Sequence, residues 1–253
     1  MITTIDLIKL GANSNNSDKY INFINEYCNT YNVNTEARIC NFLAQIFHES
    51  GNLSVVKENL YYTTTSRLQA IWPSRFPTSE SALPFVRNES LLAEKTYSGR
   101  LGNTEPGEGY KFRGRGLIQI TGKYNYRAFG VFCNQDFISN PDLLLEPRFA
   151  VLSAFWFWNK SNCNAFADSD SSEAMKQTTK IINGGYGNLK ERIATWSKAK
   201  NIFANRTITE IAPTKIEIPV FKLPEIIETK QEEVKPNIFL FILNIILKLL
   251  KRK

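Results

Sequence analysis

Glu49 and Glu58 stand nine positions apart in FHESGNLSVVKENLYYT, residues 47–63, with a glycine between them. Paired carboxyls are the working groups of glycoside hydrolysis, in which one protonates the leaving oxygen and the other activates a water. An inverting enzyme holds them roughly 6.5–9.5 Å apart so that the water fits. On one unbroken helix, nine steps of about 100° would put them on opposite faces, about 13 Å apart along the axis. The Ser50-Gly51-Asn52 break lets the chain turn back and bring Glu58 across a cleft. The spacing allows acid–base chemistry, and it equally allows a helix-ending Glu49 and a solvated Glu58. Glu49 shares a helical face with Phe42 and Ile46, so desolvation should raise its pKa and suit it to donate a proton. Glu58 sits between Lys57 and Asn59 and is expected to stay ionised, as a base must.

The second informative stretch is YKFRGRGLIQITGKYNY, residues 110–126. GLIQIT reads as a strand, with Leu117, Gln119 and Thr121 on one face and Ile118 and Ile120 on the other. That leaves the Gln119 amide to bind a sugar and the Thr121 hydroxyl to hold a water. Gly114 and Gly116 allow close approach of a ligand or a backbone; in the plainer reading they serve a tight hairpin. The Gly-x-Gly here precedes a strand and so is not a phosphate loop. Tyr61, Tyr62, Tyr110, Tyr124 and Tyr126 cluster around both stretches, for sugar stacking or for ordinary packing.

These residues need a scaffold, and the periodicity supplies a helical one. Asp18–Asn29 reads as a helix. A second starts at Asn34 or Thr35 and runs to Glu49, with Ile39, Leu43, Ile46 and Phe47 on its apolar face. Residues 73–110 read as loop with short helical pieces. FAVLSAFWFWNK, within 141–160, is apolar on nearly every side and reads as a buried central helix. Residues 173–182 form a helix stopped by Asn183-Gly184-Gly185, and a last one runs from Asn188 to about Phe203.

Composition bounds the classes. The chain has 253 residues, 43% of them hydrophobic, and a net charge of +7. That length suits one globular core, and the charge favours an anionic partner. The single histidine, His48, excludes a multi-histidine metal site, and no nucleophile motif stands near it for a triad. Cys28, Cys40, Cys133 and Cys163 form no Cys-x-x-Cys pair and read as plain thiols. No metal or cofactor is expected. MITTIDLIKL lacks the basic and apolar regions of a secretory signal, so the chain is expected to be made in the cytoplasm, and work outside it would need release by other means.

FHESG, ENLYY, YKFRGRGLIQITGKYNY and INGGYGNLKERI, in this order over residues 36 to 200, resemble glycoside hydrolase family 19, the plant-type chitinases together with phage and bacterial lysins. The resemblance implies a mainly helical, lysozyme-like α+β fold with a small β element and a central substrate cleft. It implies hydrolysis, with inversion, of a β-1,4 bond beside an N-acetylated amino sugar. It makes Glu49 the acid and Glu58 the base, with Thr121 helping to hold the water. His48, Tyr62, Gln119, Tyr124, Asn125, Asn183 and Arg192 become substrate-site residues, Arg192 able to pair with a catalytic carboxylate. In the plant enzymes the base lies farther along the chain; the shorter spacing here is similar to the lysin branch. Glu105 and Glu108 are reserve bases.

Residues 1–206 are then the catalytic domain and 207–237, with four prolines, a linker. Residues 238–253 read as an amphipathic helix, too short to span a bilayer. Its Asn244, Lys248, Lys251 and Arg252 lie within about 100° of one another on the wheel, which suits an anionic membrane interface. The leading expectation is a monomeric peptidoglycan-cleaving lysin. An antibacterial toxin with the same chemistry and a chitinase are the alternatives, and a binding protein on an inactive scaffold comes after them. Nucleic-acid binding is not expected, because the basic cluster is confined to the terminal Lys-Arg-Lys.

Overall fold

The computed structural model describes residues 1–204; the linker and the terminal amphipathic helix read from the sequence lie outside them. The described chain is built from helices α1 (Thr4–Leu10), α2 (Ser14–Thr30), α3 (Glu36–Glu49), α4 (Thr65–Ile71), α5 (Ser79–Ala82), α6 (Glu89–Tyr97), α7 (Glu108–Lys111), α8 (Lys123–Cys133), α9 (Pro147–Lys160), α10 (Asn164–Ala167), α11 (Ser172–Asn183) and α12 (Leu189–Phe203), joined by turns and two 3-10 segments.

Local chemistry sets the ends. The Thr35 hydroxyl accepts from the Arg38 N–H and starts α3, as an N-cap should. Ser171 does the same for α11, and Gly184 in the left-handed conformation stops it. Pro147 stands at the first turn of α9, where its missing N–H costs nothing. Helices α1, α4, α8 and α10 add to those read from the sequence. A capping box between Thr3 and Asp6 opens α1, and α8 follows directly on the 116–121 turn.

α3 is the hub. Every residue from Ile39 to Phe47 is buried, and α10, α11 and α12 pack on it. α9 meets it through Phe42 and Phe155, whose ring centres are 4.2 Å apart. This main core is one continuous apolar cluster. A second, smaller cluster gathers Leu60, Tyr62, Leu68, Ile71, Trp72, Phe76 and Tyr97. The segment after α3 runs from Leu53 in the first cluster to Leu60 in the second, and Glu58 lies on that crossing.

The expected strand is not there. Residues 116–119 form a turn closed by reciprocal hydrogen bonds between Arg115 and Ile120, at 3.1 and 2.8 Å. Among the described residues the β character reduces to isolated bridges, Arg115 with Ile120 and Lys57 with Arg115. Gly116 at φ +81° and Gln119 at φ +54° bend the chain out of the extended region. Leu117, Ile118, Gln119, Ile120 and Thr121 are therefore all buried, rather than alternating between two faces.

Candidate active site

Glu49 is the last residue of α3, and Ser50 ends the helix. The Ser50 hydroxyl donates to the Ile46 carbonyl at 2.6 Å and accepts from the Leu53 N–H at 2.9 Å. Gly51, Asn52 and Leu53 then take positive φ values of 54–62°. The turn sends the chain back, and Glu58 leaves the helix altogether. Glu58 docks on the glycine segment instead. Its N–H donates to the Gly114 carbonyl at 2.9 Å, and the Gly114 N–H donates to Glu58 Oε2 at 3.1 Å. The arrangement with both carboxylates on one helix is thus ruled out.

Glu49 is wholly buried and paired with Arg192 of α12, which is equally buried. Arg192 also donates to Gln45 Oε1 at 2.5 Å. Gln45 lies one turn before Glu49 on the same face, and its amide donates onward to Thr178 and Thr179 of α11, at 3.2 and 3.0 Å. One oxygen of Glu49 meets Arg192; the other, Oε2, is buried and has no partner. Burial pushes the Glu49 carboxyl above its ordinary value, and the charge and hydrogen bond of Arg192 pull it back only in part.

Glu58 is buried, so the plainer alternative of a solvated surface charge does not hold. Both of its oxygens are held. Tyr97 OH donates to Oε1 at 2.5 Å, and the Gly114 N–H donates to Oε2. Burial raises its pKa too, opposed by Tyr97, Gly114 and the nearby charges of Arg113 and Arg115. The two carboxyls therefore part company by hydrogen bonding rather than by exposure. Glu58 receives donors at both oxygens, the pattern of a carboxylate. Glu49 keeps one oxygen free of donors, the position a transferable proton occupies.

Glycine is required twice. A Cβ on Gly114 would stand 2.8 Å from Gln119 Oε1 and 3.4 Å from Glu58 Oε2, and one on Gly116 would stand 2.6 Å from the Ser153 hydroxyl.

Around Glu58, the Gln119 amide donates to the Gly116 carbonyl at 2.9 Å, and its own carbonyl oxygen is buried without a partner. The Thr121 hydroxyl donates to the Gln119 carbonyl at 3.0 Å, and the Asn125 amide to the Thr121 carbonyl at 2.8 Å. Thr121 is buried, so the expected groove-facing row is instead a set of internal ties. Tyr62 is buried against Trp72, ring centres 5.4 Å apart. Tyr126 is buried and donates to the Arg113 carbonyl. Tyr61 and Tyr124 are exposed.

Around Glu49, the Asn188 amide lies 3.1 Å from His48 Nε2. Asn183 is buried; its amide donates to the Gly185 carbonyl at 3.2 Å and its oxygen lacks a partner. Glu108 is engaged elsewhere, paired with Lys123 and accepting from the Thr104 and Glu105 N–H groups. Among the described residues no cluster of histidine, cysteine, aspartate and glutamate forms a metal cage. Tyr97 and Gln45 are the site residues that sequence reasoning did not single out. Gln45 carries a signal, its spacing of four from Glu49, whereas Tyr97 reaches the site only through tertiary packing.

A Haemophilus influenzae protein described as a glycosyl hydrolase family 19 domain-containing protein is 40% identical over 153 residues, spanning 60% of this chain and 72% of that one. The chain belongs to glycoside hydrolase family 19. The family's class I chitinase profile matches residues 79–195, a span that begins after both carboxylates. An endochitinase of Arabidopsis thaliana is 40% identical over 82 residues, and endochitinase 2 of Gossypium hirsutum 32% identical over 126; the chain spans 27% and 42% of these two plant relatives. Chitinase C of Streptomyces griseus superposes with a TM-score of 0.52 at 20% identity, covering 79% of this chain and 76% of that one. Chitinase C thus shares the fold, and membership of family 19 gives the class: a chitinase-like glycoside hydrolase acting on a polysaccharide.

Proposed function

We propose that this family 19 member cleaves the β-1,4 bond between N-acetylated amino sugars of peptidoglycan, with inversion. Glu49 is the general acid, Glu58 the base, and Thr121 part of the setting for the attacking water. The observation that carries the roles is the asymmetry of the two buried carboxyls. Glu58 accepts at both oxygens, which favours its ionised form against the upward push of burial and suits it to take a proton from water. Glu49 has Oε2 buried and unpartnered, which leaves it to protonate the glycosidic oxygen. Peptidoglycan is favoured over chitin by the net charge of +7, because the wall polymer is anionic and chitin is not. The basic amphipathic segment at residues 238–253 would hold the enzyme at an anionic membrane beside that wall.

Purified, outer-membrane-stripped bacterial walls test this. Wild type should clear them and release disaccharide-peptides, and Glu49→Gln and Glu58→Gln should each lose about 10²–10⁴-fold in rate. An active Glu58→Gln would move the base elsewhere. Chitin is the second reading, favoured by the plant relatives, which are described as endochitinases; cleavage of chitin oligomers with walls left intact would select it.

A further inference from the structure

A cavity of about 460 Å³ lies beside the second apolar cluster, lined by Trp72, Ser74, Arg75, Lys95 and Arg100. Its lining contributes three cations and no carboxylate. Lys95 and Arg100 are exposed, and Arg75 is half-buried. Burial first, and then the nearby charge of Arg100, push the Arg75 pKa down. The indole Nε1 of Trp72 is buried without an acceptor. Like charges gathered round a concavity attract an anion, and the Trp72 ring forms part of its wall.

The cavity stands close behind the base. Arg75 donates to the Thr96 hydroxyl at 3.2 Å, and the next residue, Tyr97, donates to Glu58. Trp72 packs edge-on against Tyr62, which lies near enough to Glu58 to feel its charge. These contacts tie the concavity to the base through Thr96–Tyr97 on one side and Tyr62 on the other. Chitin carries nothing for it to bind. The sugars of peptidoglycan carry a lactyl arm whose peptide ends in carboxylates.

We infer that the Trp72–Arg75–Lys95–Arg100 cavity is an anion subsite that takes a carboxylate on the lactyl-peptide arm of a wall glycan. The inference rests on the peptidoglycan reading for its ligand, and on the cavity alone for its charge. Bound there, the carboxylate pairs with Arg100 and Lys95 at the rim and approaches Arg75 and the Trp72 indole. The subsite sets which polymer is accepted; it takes no part in bond cleavage.

Two measurements test it. In the first, the Trp72 indole N–H resonance, assigned by its loss in Trp72→Phe, is followed while N-acetylmuramic acid or its uncharged counterpart N-acetylglucosamine is added. Only the acid should shift it saturably, with a Kd of about 1 mM or weaker as befits one small ligand, and the shift should vanish in the Lys95→Gln/Arg100→Gln variant. Equal responses to the two sugars, or none, would overturn the subsite. In the second, KM is measured on intact walls and on walls whose carboxyls have been amidated. Amidation should raise the wild-type KM about 3- to 10-fold, the range for two partly exposed ion pairs, and should raise that of the double variant no further. A double variant that keeps the wild-type KM on intact walls would also overturn it. Walls left uncleaved together with a positive titration would sink the peptidoglycan reading and leave the anion site standing.

Discussion

Arg192 and Glu49, 143 residues apart, form an ion pair from which solvent is wholly excluded. Removing one partner of a buried pair strands the other charge and costs about 3–5 kcal/mol. Arg192→Met should therefore lose roughly that much stability in urea melts at neutral pH, and Arg192→Met combined with Glu49→Gln should recover much of it. The sign with pH follows from burial. Without Arg192, the folded pKa of Glu49 rises further above its ordinary 4.5, so folding favours the protonated form. That stability is fully present below the unfolded pKa and is lost as pH rises through the folded one. The deficit of the single variant should shrink as the melts are taken to lower pH. A deficit constant with pH would mean that Arg192 acts by packing alone.

The Tyr97–Glu58 hydrogen bond sets a second, separable pH response. Tyr97 lowers the pKa of Glu58 against the upward push of burial. Tyr97→Phe removes the donor and keeps the ring, so Glu58 should hold its proton to higher pH. The base is needed ionised, and the acidic limb of kcat/KM must then move up. The alkaline limb, which reports loss of the proton from Glu49, should stay where it is. Movement of the alkaline limb instead would exchange the roles of the two carboxyls.

Much of this site was legible along the chain, and the rest was not for physical reasons. The α3 cap at Thr35, the stop at Ser50-Gly51-Asn52 and the Gly184 terminator are local signals, and the structure uses them as read. The 116–121 segment departs from the strand its pattern suggests because alternating apolar residues indicate a strand only where the backbone stays extended; here Gly116 and Gln119 at positive φ fold the same pattern into a turn. The polar neighbours of Glu58 in sequence point to an ionised carboxylate and say nothing of its burial. Its neighbours in space are Tyr97, Gly114 and the second apolar cluster, and nothing in the local sequence records them.

The two glycines of Arg-Gly-Arg-Gly should fail differently when replaced. An alanine at Gly114 needs no change of φ, but its methyl meets the Gln119 amide and crowds the Glu58 carboxylate. Displacing a catalytic group by about 1 Å costs roughly 10²-fold in rate, so Gly114→Ala should lose activity with a small change in melting temperature. At Gly116 the φ of +81° and the Ser153 hydroxyl both oppose a side chain. Its left-handed strain alone is about 1–2 kcal/mol, and Gly116→Ala should lose stability first. Gly114→Ala with full wall-clearing rate would show that the crowding is relieved by Gln119 swinging away from the site.

Glu108 is the sharpest control for the identity of the base, because its sequence context made it the reserve. In the structure its carboxylate is occupied with Lys123 and the Thr104 and Glu105 N–H groups. Partial burial pushes its pKa up, but the Lys123 hydrogen bond and the two backbone donors outweigh that and leave it lowered. A lowered folded pKa gives stability that is present above the unfolded value and lost as pH falls through the folded one. Glu108→Gln should therefore melt slightly earlier than wild type at neutral pH, and the gap should close as pH falls below the ordinary carboxylate range. Its rate on walls should stay far above that of Glu58→Gln, which lacks the base and should lose about 10²–10⁴-fold. If Glu108→Gln were the inactive variant and Glu58→Gln the active one, the base would belong to the 104–108 loop, and the hydrogen bonds that hold Glu58 would be structural.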